Sequence, residues 1–479
     1  MGIGRKVKGW LGEERVEALR GRLHEIGEQT TERHLRLAVT GLSQSGKTVF
    51  ITALIHHLQQ AHRSGSLPFF EVAASERLVS TRNLSAESDN PFPLDEALAG
   101  LSQEPPRWPE STRGLSEVRL ALRYRRPAGL RRVLGETGTL YLDVIDYPGE
   151  WLLDLPMLQL DFRQWCKHQS RLFAREPRSS LSAPWRARLK EVDWAAPAQP
   201  DLIRTLSLEF SGLLQQFRED PYALSLLQPG RLVLPGEETD DERLHLFPLL
   251  VGEWPEQGWP EGSNGALLEQ RYHRYRDELV RPFYTKHFAR FDRQIVLVDC
   301  LKTLNRGEEC FRDMQAALTD ILQSFNYGRS GFLRRLFSPR IDRVLFASTK
   351  ADHVTSNQHH NLDRFLELII QDAQRDVRFE GIETRCMAVA SVRSTEAAQA
   401  RVDGQQLSCL RGRRKSDGEE VALFPGEVPV ELPESSDWNE ERFRFVDFAP
   451  ARLPMNSLKA RHHIRLDQVL EYMMEDLFR

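Results

Sequence analysis

The chain has 479 residues, 40% apolar and 28% charged, with 65 basic against 69 acidic side chains and a net charge of −4. This is ordinary globular composition, long enough for about three domains; the charge balance argues against a dedicated nucleic-acid binder, whose footprint is a basic excess. Mean hydropathy is −0.47, and no run approaches the ~18 apolar residues that a bilayer span requires, which excludes a membrane-spanning protein.

In chain order, the opening MGIGRKVKGW lacks the apolar run of a secretory signal, so a cytoplasmic protein is expected. Residues 1–33 predict an N-terminal helix with a stripe at Val16, Leu19, Leu23 and Ile26. It can pack on the body, or, with Lys6, Lys8 and Trp10 at its start, lie on a partner or membrane surface. His34–Thr40 reads as a strand, followed by GLSQSGKT and a helical pattern through Leu58. Ser64 to about Arg113 reads as a long loop with short helices. Glu117–Arg125 alternates strictly, with Val118, Leu120, Leu122 and Tyr124 on one face of a half-buried strand.

Leu140–Asp146 is a further strand, ending in YPGE. Residues 151–292 carry helical stretches such as Leu202–Phe217 and Leu267–Phe291. Gln294–Asp299, Val344–Ser348 and Cys386–Ala390 are short apolar runs, as expected of strands buried on both faces. Glu309–Phe325 is amphipathic, 401–440 is Pro- and Gly-rich, and Leu466–Leu477 is a closing helix. Five cysteines stand apart with no C-x-x-C pair, so no zinc ribbon or disulfide scaffold is expected. Strands alternating with helices imply an α/β fold, a mostly parallel sheet flanked by helices, whose ligands bind at the strands' carboxyl ends.

Three motifs fall at such ends. Gly41-Leu-Ser43-Gln44-Ser45-Gly46-Lys47-Thr48 fits G-x-x-x-x-G-K-[ST], with Val49 next in the helix. The glycines allow a tight loop whose N–H groups, with the helix N-terminus, hold phosphates. Lys47 offers a cation to the β and γ phosphates, and the Thr48 hydroxyl suits Mg2+. Asp146-Tyr147-Pro148-Gly149 follows an apolar strand. Asp146 can hold Mg2+ through water, and the Gly149 N–H can meet a γ-phosphate oxygen. Asp143, on the opposite sheet face, ranks second for the metal. Thr349-Lys350-Ala351-Asp352 ends another strand. Asp352 can accept the N1–H and N2–H donors of guanine, which adenine lacks, and Lys350 can lie across base and ribose. Ala390-Ser391-Val392 ends the next strand and could offer an N–H to guanine O6.

The order GLSQSGKT, DYPG, TKAD, ASV is similar to that of GTP-binding regulatory proteins. The runs DYPGEWLLDLPML, WPEST and TKADHV resemble the bacterial YcjX-like stress-associated P-loop NTPase family over the whole chain. The resemblance implies a Ras-like GTPase fold with a large, mainly helical insertion, binding GTP or GDP with Mg2+. The expected organisation is an N-terminal helix (1–33), a GTPase domain in two parts (34–150 and 293–400) and a helical insertion (151–292). An irregular insertion (401–440) and a C-terminal segment (441–479) complete it. The D-x-P-G and T-K-x-D forms are also similar to those of dynamin-type GTPases, which leaves a membrane-associated GTPase as an alternative.

Hydrolysis needs a hydroxyl closing on the metal and γ-phosphate. Thr112 is first choice, Ser111 and Thr81 the reserves. Glu150 stands where a water-orienting Gln is usual, and adds repulsion beside the γ-phosphate unless Mg2+ or an Arg offsets it. It could act as a base instead. Ser43 and Gln44 replace small glycines. These departures predict slow turnover that needs a protein partner or self-association, or a nucleotide-binding interaction module with negligible catalysis. An ATPase remains a further reading. Arg329–Arg340 is a candidate docking face for a partner or an anionic membrane, and it or Arg113 a candidate arginine finger; a place at the inner membrane's periphery stays open. The His pairs carry no metal expectation. Arg411–Lys415, followed by acids, reads as a solvated loop. Nucleotide state would then pass from Gly149 into the helices beyond Trp151 and on to a protein partner.

Overall fold

The structure is a computed structural model that describes residues 32–479 except 43, 86–89, 111–113, 130–134, 235–240, 251–253, 325–340, 380, 403–404, 441 and 457. The N-terminal helix expected before residue 32 lies outside the described residues, as do Ser43, Ser111, Thr112, Arg113 and the Arg329–Arg340 segment.

Seven strands form the central sheet: β1 (Arg33–Gly41), β2 (Leu78–Asn83), β3 (Ser116–Arg125), β4 (Thr137–Asp146), β5 (Arg293–Val298), β6 (Arg343–Ser348) and β7 (Glu383–Ala388). Their order is β2-β3-β4-β1-β5-β6-β7. β4, β1, β5, β6 and β7 are parallel, whereas β3 runs antiparallel to β4 and β2 antiparallel to β3. Strand β2 lies in the stretch read as loop. Its sequence, LVSTRN, is mostly polar, and only Leu78 is buried, because it is an edge strand with one neighbour. Hydropathy alone cannot mark such a strand.

The strands place alternate residues on opposite faces. One face carries Leu35, Leu37, Val39, Leu120, Leu142 and Val144, and is covered by α1 (Lys47–Ser64), α2 (Leu94–Ser102) and the closing helix Leu466–Met474. The other carries Ala38, Ile145, Val296, Val344 and Phe346. On it pack α3 (Phe162–Phe173), α4 (Ala183–Glu191), α5 (Pro200–Arg218) and α6 (Asn264–Tyr275), which continues through one π turn. The same core includes α7 (Cys300–Arg306), α8 (Glu308–Ser324) and α9 (His359–Phe379). The helical stretch after Trp151 therefore shares its core with the sheet. A buried ion pair, Arg178 to Asp313 at 2.6 Å, ties it to α8.

Residues 395–423 form a second sheet, antiparallel β8 (Thr395–Val402), β9 (Gln405–Arg413) and β10 (Glu420–Leu423). The stretch read as irregular thus contains strands. Its Gly and Pro residues fall mainly in and after the turns, and only Cys409 and Leu410 are buried in β9. Arg411, read as part of a solvated loop, lies in β9 and pairs with Glu396 of β8 at 2.7 Å. Among the described residues no helix is long and apolar enough to cross a membrane.

Candidate functional site

A cleft of about 460 Å³ opens at the carboxyl ends of β1, β4, β6 and β7. One end of it is built by the turn from β1 into α1. Gly46 has φ +82° and Gln44 φ +60°, so the chain folds back on itself before the first helical turn. A Cβ on Gly41 would stand 2.1 Å from Ser45 Oγ and 3.0 Å from Leu297 Cβ, so a side chain there would force Ser45 to turn and the loop to give. Gln44, Ser45, Gly46, Lys47, Thr48 and Val49 all line the cleft. Ser45 Oγ is buried without a hydrogen-bond partner among the described residues.

The D-x-P-G turn meets this loop directly. Lys47 Nζ lies 2.7 Å from Asp146 Oδ1 and donates to the Tyr147 carbonyl at 2.7 Å. Asp146 is 1% exposed and lies behind Lys47. Asp143 has a different partner: the Arg119 guanidinium grips it at 2.7 and 3.0 Å. A Cβ on Gly149 would fall 2.3 Å from the Gly41 carbonyl oxygen, so the two motifs touch backbone to backbone. Hard oxygen donors at Thr48 and Asp146 suit Mg2+, which keeps waters and phosphate oxygens in its shell. Among the described residues no group of three or more His, Cys, Asp or Glu side chains could cage a metal by itself. Any divalent ion here would therefore depend on the ligand's own oxygens.

Glu150 lines the cleft and is 5% exposed. Its Oε1 lies 3.4 Å from Nε of Arg218, the last residue of α5, which also lines the cleft. The main chain of Glu150 is clamped: a Cβ on Gly230 would sit 2.0 Å from its carbonyl oxygen. The 3-10 run that follows, Gly149–Gln159, is held by the same neighbour. Trp151 Nε1 donates to Leu234 O at 3.0 Å, and the Arg231 guanidinium covers the Trp151 ring at 3.9 Å. Asp154 accepts from Gly230 N at 2.8 Å and from the Tyr275 hydroxyl at 2.5 Å. Burial pushes the Asp154 pKa up from 3.8 to about 6, against the pull of those hydrogen bonds.

At the other end of the cleft, Asp352 Oδ2 accepts from Ser394 N at 2.7 Å and Ser394 Oγ at 2.5 Å. Lys350, at φ +60°, extends its ammonium between Asp299 and Asp447, 2.8 Å from each. Burial alone would lower its pKa, but the two carboxylates hold it above the ordinary lysine value. Burial would likewise raise Asp447, and Lys350 outweighs that, bringing it to about 2. Ser391 and Val392 line the cleft. The Ala390 N–H is already committed, donating to Ile464 O at 3.1 Å, so it is not free for a ligand. Thr81 is held in edge strand β2 opposite Leu122, with β3 and β4 between it and β1, and does not reach the cleft. Trp108 and Pro109 reach it from just before the Ser111–Arg113 segment.

Several cleft residues escape a reading of the sequence. Ser394 stands three residues beyond Ser391, outside any motif. Lys415 belongs to the basic run taken as solvated, yet lines the cleft beside Asp447 and Phe448. Lys302, in the first turn of α7, donates to the Gln44 amide oxygen of the loop. Arg218 gives no signal, because it ends an ordinary amphipathic helix far from any motif.

A mostly parallel α/β sheet with a glycine-bearing loop, a lysine and two carboxylates gathered at its strand ends defines a protein that binds its ligand at that edge. Residues 35–478 match the YcjX-like family, DUF463, and the chain belongs to that family. It is 42% identical over 475 residues to a protein of Escherichia coli K12 named Ras-like GTPase YcjX, covering 97% of this chain and 100% of that one. A protein of the same name from Shewanella oneidensis is 40% identical over 480 residues, covering 95% and 98%.

Proposed function

We propose that the chain is a P-loop NTPase of Ras-like type that binds GTP and GDP with Mg2+ and hydrolyses GTP slowly, as a switch. The observation that carries this reading is the cleft itself. One continuous space joins Lys47 and Gly149 at one end to Lys350, Asp352, Ser391 and Val392 at the other. The names of the relatives, Ras-like GTPase, support it.

In this reading the loop N–H groups and Lys47 bind the phosphates. Thr48 and Asp146 would hold Mg2+, which supplies charge neutralisation at the phosphate oxygens. Thr112 is the proposed closing hydroxyl from the first switch segment. Asp352 reads guanine with an oxygen oriented by Ser394, and Lys350 is steered over the sugar and base by Asp299 and Asp447. Gly149 senses the γ-phosphate. Because Gly149 begins the 3-10 run to Gln159, its movement would be carried to Trp151, Asp154 and the Gly230–Leu234 segment. A protein partner in a stress response would read that movement; contact with the inner membrane is a lesser part of the proposal.

Equilibrium binding of fluorescent GDP, followed by single-turnover hydrolysis of GTP, tests it. The expected rate without partner is near 10⁻²–10⁻⁴ s⁻¹, as for unassisted switch GTPases. No binding of guanine nucleotide, or a rate above about 1 s⁻¹, would contradict it.

A further inference from the structure

We propose that Arg218 is the catalytic cation of the cleft and that Glu150 is its positioning residue, not a general base. The inference rests on the nucleotide reading above. It arises from an oddity of charge: a buried carboxylate directly after Gly149 is the wrong sign for a phosphate site. The structure offers its counter-charge. Arg218 stands 3.4 Å away, with its side chain 21% exposed in the same cleft. Among the described residues, neither Arg218 Nε nor Glu150 Oε1 has a hydrogen-bond partner. The pair is close enough for charge compensation, with Arg218 Nε the guanidinium atom 3.4 Å from Glu150 Oε1. A guanidinium carries five donors, so it can serve a carboxylate and a phosphate together.

The main chain that carries each partner is held firmly. Phe217, the preceding residue, is fully buried, and its carbonyl accepts from Leu224 N at 2.8 Å. Gln215 donates to Val233 O at 2.7 Å. Just past the helix end, Asp220 pairs with Arg306 of α7 at 2.8 Å, pinning α5 to the body. Glu150 is fixed by the contact of its carbonyl with Gly230. A cation carried on such an anchored helix end, with Glu150 beside its Nε, needs less reorientation to meet developing charge than one on a free loop.

The step is hydrolysis. A water oxygen bonds to the γ-phosphorus, the bond from that phosphorus to the β–γ bridging oxygen breaks, and the water proton leaves with phosphate or to solvent. Arg218 donates hydrogen bonds to the phosphate oxygens as charge builds toward the bridge. Glu150 takes no proton; it holds Arg218 in place and keeps the pair near neutral.

Single-turnover GTP hydrolysis and fluorescent GDP binding on the full chain test this, with Arg218→Ala, Arg218→Gln, Arg218→Lys and Glu150→Gln. Loss of one preorganised donor costs about 10²–10³-fold in rate. We expect that loss in Arg218→Ala and Arg218→Gln with GDP affinity within about threefold, and incomplete recovery in Arg218→Lys, which lacks the fork. Glu150→Gln should slow the reaction less than Arg218→Ala and leave the pH–rate profile unchanged in shape. Should wild-type turnover be too slow to follow, GDP with aluminium fluoride replaces it. Wild type should bind that pair, and the Arg218 variants should not. Arg218 variants that bind GDP and match wild type in rate or fluoride response would overturn the proposal. So would wild type that binds GDP yet neither turns over nor responds to fluoride. A wild-type profile whose carboxylate-range limb disappears in Glu150→Gln would assign the base role to Glu150 and overturn it as well. Wild type that fails to bind GDP would refute the nucleotide reading itself, a separate result.

Discussion

Gly149 and Gly230 are two glycines for which one methyl group decides the local geometry. At Gly149 the added carbon would meet the Gly41 carbonyl, and at Gly230 the Glu150 carbonyl, both immovable backbone atoms. Overpacking of this kind costs about 1–3 kcal/mol. Gly149→Ala should therefore lower the melting temperature and pry the D-x-P-G turn from the phosphate loop, and calorimetric titration should find GTP analogue and GDP binding with more nearly equal affinity. Retention of the full wild-type preference for one nucleotide would refute the sensing role of Gly149. Lys47→Ala would remove the proposed charge-assisted phosphate contact, worth about 1.5–3 kcal/mol, so affinity should fall roughly 10–150-fold. The variant also leaves Asp146 buried without this cation, so a thermal melt must accompany the titration.

At the scale of elements, the 3-10 run Gly149–Gln159 is the proposed carrier of the signal, and Asp154 is its anchor to the rest of the fold. Hydrogen exchange of the GDP-bound and GTP-analogue-bound forms should differ across 149–159 and 230–234; identical protection would count against coupling through this run. The anchor has a pH signature. The Asp154 pKa is raised in the fold, so between pH ~4 and ~6 the folded state holds more protons than the unfolded one. Its contribution is therefore most favourable below pH ~4 and falls as pH rises through about 6. Asp154→Asn lacks this term. Measured by denaturant unfolding, its stability relative to wild type should rise by about 2 kcal/mol from pH 4.5 to 7.5. A constant difference across that range would show that Asp154 does not titrate as described. The sequence declares Gly149 and Glu150 through their motif. It is silent about the partners of Glu150, because Arg218 and Gly230 approach from 68 and 80 positions away. Spacing rules are local; the contacts that neutralise a buried carboxylate are not.

For the whole molecule, the strands that carry motifs were legible because burial on both faces leaves apolar runs such as VLFAS and CMAVA. Edge strand β2 and the sheet β8–β10 were not, since they bury too few apolar residues, Leu78 in β2 and Cys409 and Leu410 in β9, to leave an alternating pattern. The closing helix is legible as a helix, but the sheet face it shares with α1 is not. Near that junction His57 is fully buried against His463, ring centres 4.8 Å apart. Neither of its ring nitrogens has a hydrogen-bond partner among the described residues. Burial, with the neighbouring histidines adding to it, pushes its pKa down to about 2. A histidine depressed in the fold contributes stability that is whole above pH 6.5 and is lost as pH falls below it, by about 1.4 kcal/mol per unit. Wild type should thus weaken from pH 6.5 to 5 more steeply than His57→Leu in urea unfolding; parallel curves would contradict the buried neutral state.

The cleft as a guanine-nucleotide site is the central claim, and competition against fluorescent GDP tests it most directly. Wild type should be displaced by GDP and resist ADP by at least about 10³-fold, since Asp352 would be left without its donor pair. Asp352→Asn should lose GDP affinity and gain affinity for xanthosine diphosphate. Equal competition by ADP and GDP in wild type, or unchanged GDP affinity in Asp352→Asn, would contradict the account.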